Sequence, residues 1–92
     1  MLSKIPIDLS KLKKAEDIDK EVARFGLIAE LDAINLYEQM ASFVKNEKLR
    51  KVLLDIAKEE KTHVGEFLAV LVSLDEEQEK ELESGREEVK EL

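Results

Sequence analysis

The chain has no cysteine and no tryptophan, a single proline at position 6, one histidine and three glycines among its 92 residues. Without cysteine there is no disulfide framework, no rubredoxin-type centre and no thiolate-held iron–sulfur cluster. Beyond Pro6 nothing removes a backbone donor, so long helices can run without interruption. Positive charge is in deficit: 15 Lys and Arg stand against 22 Asp and Glu, a formal net charge of −7. That balance, with no basic stripe to offset it, excludes a nucleic-acid surface. No apolar run approaches the roughly 18 residues of a membrane span and no secretory leader is visible, so neither membrane nor export is expected and the location reads as cytoplasmic.

What is present is helical material. Charged residues make up 40% of the chain and aromatics 4%, with Ala, Glu, Lys and Leu prominent. Residues 1–92 suffice for one small domain, near the size at which a single core only just suffices. Within it the pattern divides into an arm over 1–15, a helical hairpin over 16–74, and a C-terminal helix and tail over 75–92. Ile5, Ile7, Leu9 and Leu12 alternate loosely around Pro6, which suits an arm that packs on a neighbour or stays mobile. From about Asp17 to Val44 the period is helical. Lys45 and Asn46 break it, and Asn46 can cap a second helix from Glu47 to about Leu74. A connection this short makes the two helices antiparallel neighbours. Ser73 or Asp75 is placed to cap a third helix, with Glu76 or Gln78 completing a capping box. Gly85 is expected to end it and leave Arg86 to Leu92 as a charged tail. The fold class is therefore all-α.

Two carboxylates sit where apolar residues belong. On the second helix Leu53, Ile56, Ala57, Glu60, His63, Val64, Phe67 and Leu71 share one face. On the first, Ala23, Gly26, Leu27, Glu30, Ala33, Ile34, Tyr37, Ala41 and Val44 do the same. With sixteen Glu in 92 residues, one falls three positions before the only His about one time in six, so that spacing alone carries little weight. The register carries more. Glu30 lies about 15 residues before the turn and Glu60 about 15 after it, so both stand roughly 22 Å from it, at one level of the hairpin. Two buried carboxylates at one level, one turn from an imidazole, repel each other unless a cation lies between them.

One hairpin supplies only half of the ligand set of a carboxylate-bridged di-iron bundle, which takes a Glu from each of two helices and a Glu-x-x-His from each of two others. A second apolar stripe on the first helix, Val22, Phe25, Ala29, Leu36, Met40 and Phe43, exceeds what one packed neighbour requires. Two copies about a two-fold axis would form a four-helix bundle and complete the set with two each of Glu30, Glu60 and His63. Four carboxylates then balance two divalent ions.

At these residues the sequence resembles the encapsulated ferritins, ferritin-like proteins with half-size, two-helix subunits. The matching pieces are Glu30-Leu31-Asp32-Ala33, Tyr37-Glu38-Gln39 and Glu59-Glu60-Lys61-Thr62-His63, in order and at the same interval, over roughly Val22 to Leu74. The resemblance implies a homodimer within a larger ring, typically a decamer, and a ferroxidase centre held between paired subunits. It makes Glu30, Glu60 and His63 the ligands of two irons per subunit pair, with Glu60 bridging them, and sets Tyr37 beside the centre as a further candidate catalytic residue. It also implies an encapsulin shell partner, fused or docked, and a place inside that nanocompartment. Two features depart from the family. Ala29 stands where some members carry an acidic entry residue, leaving Asp32 as the nearest acidic candidate, although it faces away from Glu30 on its own helix as a solvated surface residue does. The Gly- and Leu-containing docking peptide is absent before Leu92.

The expected activity is an iron oxidase (an oxidoreductase acting on metal ions) that takes Fe(II) to Fe(III) with O2 or peroxide, for storage within a shell. Two other classes stay open. One is a structural helical oligomer whose Glu60 and His63 hydrogen-bond across an interface. The other is a rubrerythrin-like di-iron peroxidase, which the missing cysteines disfavour because no electron-relay iron centre is encoded.

Overall fold

A computed structural model describes residues 14–92, which are all-helical. In chain order the elements are α1 (Ala15–Phe43), α2 (Glu47–Leu74) and α3 (Glu76–Lys90). The first two form the antiparallel hairpin and the third follows α2 directly. Residues 1–13 of the expected arm lie outside the described residues.

The hairpin corner is built by side chains that satisfy helix ends. The Asn46 side chain accepts a hydrogen bond from the Leu49 N–H at 2.9 Å and so caps α2. Arg50 then reaches back across the corner. Its Nε donates to the Ala41 carbonyl at 3.1 Å and its Nη2 to the Val44 carbonyl at 2.6 Å, while Nη1 pairs with Glu47. Carbonyls in the last turn of a helix have no intrahelical donor, and this guanidinium supplies one. Asn46→Ala should lower stability by about 1 kcal/mol, visible as a lower melting temperature at fixed protein concentration. An unchanged melt would mean that Arg50 alone secures the corner.

The seam between α1 and α2 is narrow and rich in alanine. Ala23, Ala33, Ile34 and Ala41 of α1 are buried against Leu53, Ala57 and Leu71 of α2. Alanine lets two helices approach closely but removes little apolar area from water. No large side chain is fully buried among the described residues. Among the described residues the second stripe of α1 is incompletely covered: Val22, Leu36 and Phe43 are exposed, Phe43 by 82%, and Phe25, Ala29 and Met40 are half-buried. Ile28 and Leu31 of α1 and Leu49, Val52, Leu54 and Val70 of α2 are also exposed. The chain has a radius of gyration of 16.4 Å, against about 12 Å for a compact domain of this length. Its accessible surface is 7259 Å² where about 5,400 Å² is usual for a compact 10.5 kDa monomer. A single copy is a partial core.

At the α2–α3 corner Asp75 serves both sides. One carboxylate oxygen accepts from the Gln78 N–H at 3.1 Å and caps α3, without a return bond from the Gln78 side chain; the other accepts from Arg24 of α1 at 3.2 Å. The Gln78 N–H, with Lys20 and Arg24 nearby, holds the Asp75 carboxyl below its ordinary value despite an opposing contribution from burial. A depressed folded-state value means that this contribution is complete above the unfolded carboxylate range and is lost as pH falls through the folded value. The tie of α3 to α1 should therefore weaken as pH falls below the ordinary carboxylate range, and Asp75→Asn should remove that acid step from amide-exchange profiles of α3. An acid step that survives the substitution would assign it elsewhere.

One boundary differs from expectation. α3 does not stop at Gly85 but continues to Lys90. A glycine ends a helix by adopting a left-handed conformation, and no glycine here has positive φ. No proline follows, and Arg86, Glu87, Glu88 and Lys90 are good helix formers with a Glu87–Lys90 pair at 3.1 Å, so the roughly 1 kcal/mol cost of an interior glycine is tolerated. Ser73, the other candidate cap, instead donates to the Val70 carbonyl.

Candidate metal centre

Helices of 29 and 28 residues joined by a short corner bring Glu30 of α1 level with Glu60 and His63 of α2. Each offers one ligand atom, and these atoms all lie within 4.8 Å of one another. His63 Nδ1 stands 3.4 Å from Glu30 Oε2 and 3.6 Å from Glu60 Oε2. The two carboxylate side chains are largely shielded, 17% and 19% exposed, while the imidazole is 44% exposed. Outside the cluster a Lys61–Glu38 pair at 3.1 Å spans the hairpin, a surface contact that contributes about 0–1 kcal/mol.

The separations decide what the cluster can hold. Both exceed the 2.7–3.2 Å of an ordinary N–H to oxygen hydrogen bond. Glu30 Oε2 is accordingly buried with no hydrogen-bond partner, a costly state for a carboxylate oxygen. Ligand atoms each about 2.1 Å from a common cation stand roughly 3.0–3.4 Å apart, close to the spacing found. Two carboxylates and one imidazole also suit a divalent first-row metal in charge and softness. The donor set fits a metal, and it is incomplete: no fourth protein ligand joins it among the described residues.

Two other residues singled out in the sequence lie on α1. Tyr37, expected beside the centre and not as a ligand, is half-buried on α1, two turns from Glu30. Asp32 is exposed and lies outside the cluster.

Sequence reasoning did not single out a cleft of about 380 Å³ beside the cluster, lined by Glu30, His63, Glu66, Phe67 and Val70. Its wall depends on Gly26. A Cβ there would stand 2.5 Å from the Phe67 ring, so the missing side chain is the seat on which that ring lies. The signal was available, since Gly26 and Phe67 lie on the facing stripes at nearly the same distance from the corner. Gly26→Ala must push the ring aside, and overpacking of this kind costs about 1–3 kcal/mol, more than the roughly 1 kcal/mol of helix propensity gained. A lower melting temperature is expected. A higher one would show that the ring moves freely.

Comparison with known proteins places the helical architecture in a family. Residues 7–88 match the EncFtn-like family. The chain is similar to the ferritin-like–encapsulin shell fusion protein of Pyrococcus furiosus, 64% identical over 72 residues, which cover 78% of this chain and 21% of that protein. It thus spans about one-fifth of the length of that relative. It is also similar to the crystal structure of the encapsulated ferritin domain from Pyrococcus furiosus, with a TM-score of 0.84 at 50% identity, covering 97% of this chain and 95% of the other. No described helix is long and apolar enough to cross a membrane. With the match extending over nearly the whole chain and the same helical architecture in the solved domain, this protein belongs to the EncFtn-like family of encapsulated ferritins.

Proposed function

We propose that the chain is a ferroxidase that oxidises Fe(II) to Fe(III) at a di-iron site shared by two copies. The observation that carries this reading is the meeting of Glu30, Glu60 and His63 around a buried carboxylate oxygen with no hydrogen-bond partner. A second copy supplies what one chain lacks: a matching half-set of ligands and apolar cover for the exposed stripe of α1. Two iron ions would be held by Glu30, Glu60 and His63 of both copies, with Glu60 the carboxylate that the family resemblance places between them.

Bound iron supplies the redox chemistry, each ion giving one electron to O2 or peroxide. The protein's part is electrostatic and positional. Four carboxylates fix the two ions close together and favour the trivalent product over the divalent substrate. The alanine seam keeps the helices rigid at that level, and Tyr37 lies on the same face of α1 as a nearby aromatic group. Pairs assemble into a ring, a decamer by family resemblance. Because a relative is a shell fusion protein, the proposed setting is an encapsulin compartment in the cytoplasm, where ferric product is stored.

Anaerobic ferrous titration followed by native mass measurement tests the reading. Iron and subunits should both appear in even numbers, and O2 or peroxide should then be consumed in proportion to the iron bound. A monomer that oxidises iron at full rate, or an assembly that takes up none, would overturn it.

A further inference from the structure

We propose that Glu66 is a loading carboxylate: it captures divalent cations at the mouth of the cleft and passes them to Glu30 and His63. The proposal rests on the metal-centre reading above. It starts from the chemistry of the cleft wall. Five residues line it, and two of them, Glu30 and His63, belong to the ligand cluster. Phe67 and Val70 offer no donor, so an ion crossing their stretch finds nothing to replace its water. Glu66 is then the one polar side chain of the cleft that is not already in the cluster. It lies one turn beyond His63 on the same face of α2 and is exposed, so it meets solvent while the two cluster carboxylates are shielded.

Glu66 forms no ion pair among the described residues, whereas Glu38 is engaged by Lys61 and Glu47 by Arg50. An unpaired carboxylate attracts a cation without first having to release one. Its exposure and single charge suit brief capture, not retention. The Phe67 ring lies over Gly26, where a Cβ would stand 2.5 Å from it, and forms part of the cleft wall that Glu30 and Glu66 share.

Cobalt(II), followed by stopped-flow absorbance on the assembled protein without oxidant, separates the possibilities. Glu66→Gln should slow cobalt association about three- to tenfold and leave the final number of ions per subunit unchanged. The difference should shrink at high salt, because the attraction acts through solvent. Asp55→Asn removes the same charge from an exposed site outside the cleft and should load at nearly the native rate. Glu60→Ala should lose bound cobalt itself. Native-rate loading by Glu66→Gln overturns the proposal, as does equal slowing by Asp55→Asn, which would make the effect one of overall charge. A lowered endpoint in Glu66→Gln also overturns it, since Glu66 would then be a resident ligand. If Glu60→Ala keeps its cobalt, the metal-centre reading fails instead, a result distinct from any produced by Glu66 alone.

Discussion

Glu60→Ala should reduce iron oxidation to the background rate of free ferrous iron and remove bound metal, while helix content is retained. Glu60 is the carboxylate assigned between the two ions, so its loss strips a ligand from both at once. His63→Ala should be milder, slowing oxidation with the assembly intact, because an imidazole at the edge of the site can be replaced by water. The stability changes have opposite signs with and without metal. In chelator, Glu30 and Glu60 face each other without a cation, and Glu30 Oε2 is buried without a hydrogen bond. Removing one carboxylate relieves that repulsion, so Glu60→Ala should melt higher than the native protein under chelator. With metal the order should reverse, since a ligand at a hundred times its Kd stabilises the folded state by about 2.7 kcal/mol and the variant has no such gain. Thermal melts under both conditions check the pair of signs. A variant that melts lower in chelator would mean that Glu60 makes a stabilising contact the metal does not explain.

The second large effect comes from residues that touch no metal. Leu36 is exposed and Met40 half-buried on the unpartnered stripe of α1, and neither belongs to the hairpin seam. Glutamate is a good helix former, so Leu36→Glu combined with Met40→Glu should leave the hairpin folded. In an assembly, however, two copies would bring four new charges into one apolar contact. We expect sedimentation to show single chains and iron oxidation to fall at least tenfold, about 1.4 kcal/mol or more in the barrier, although all three ligands remain. An active single chain would refute the shared site. An intact oligomer would place the interface on another face.

Much of this was legible in the sequence because the deciding features are periodic or local. The Asn46 cap follows from a break in a helical pattern, and the common level of Glu30 and Glu60 follows from counting residues on either side of it. The second stripe was visible as a surplus of apolar positions, and among the described residues it is left partly exposed at Val22, Leu36 and Phe43. What escaped depended on competition between small energies or on contact across the seam. Gly85 reads as a stop signal, yet its helical cost is offset by four good helix formers among the five residues after it. The Asp75–Arg24 contact joins residues far apart in sequence, and no periodicity announces it. Glu66 was one acidic residue among many until Phe67, seated on Gly26, set it at the edge of a cleft.

If each chain brings half of a shared site, as proposed, with Glu30, Glu60 and His63 clustered among its described residues, there is a genetic consequence. When native and Glu60-deficient copies are produced together and mix freely, whole sites should decline as the square of the native fraction, not in proportion to it. A defective allele would then silence sites in its healthy counterpart, and co-expression at graded ratios would display that curvature directly.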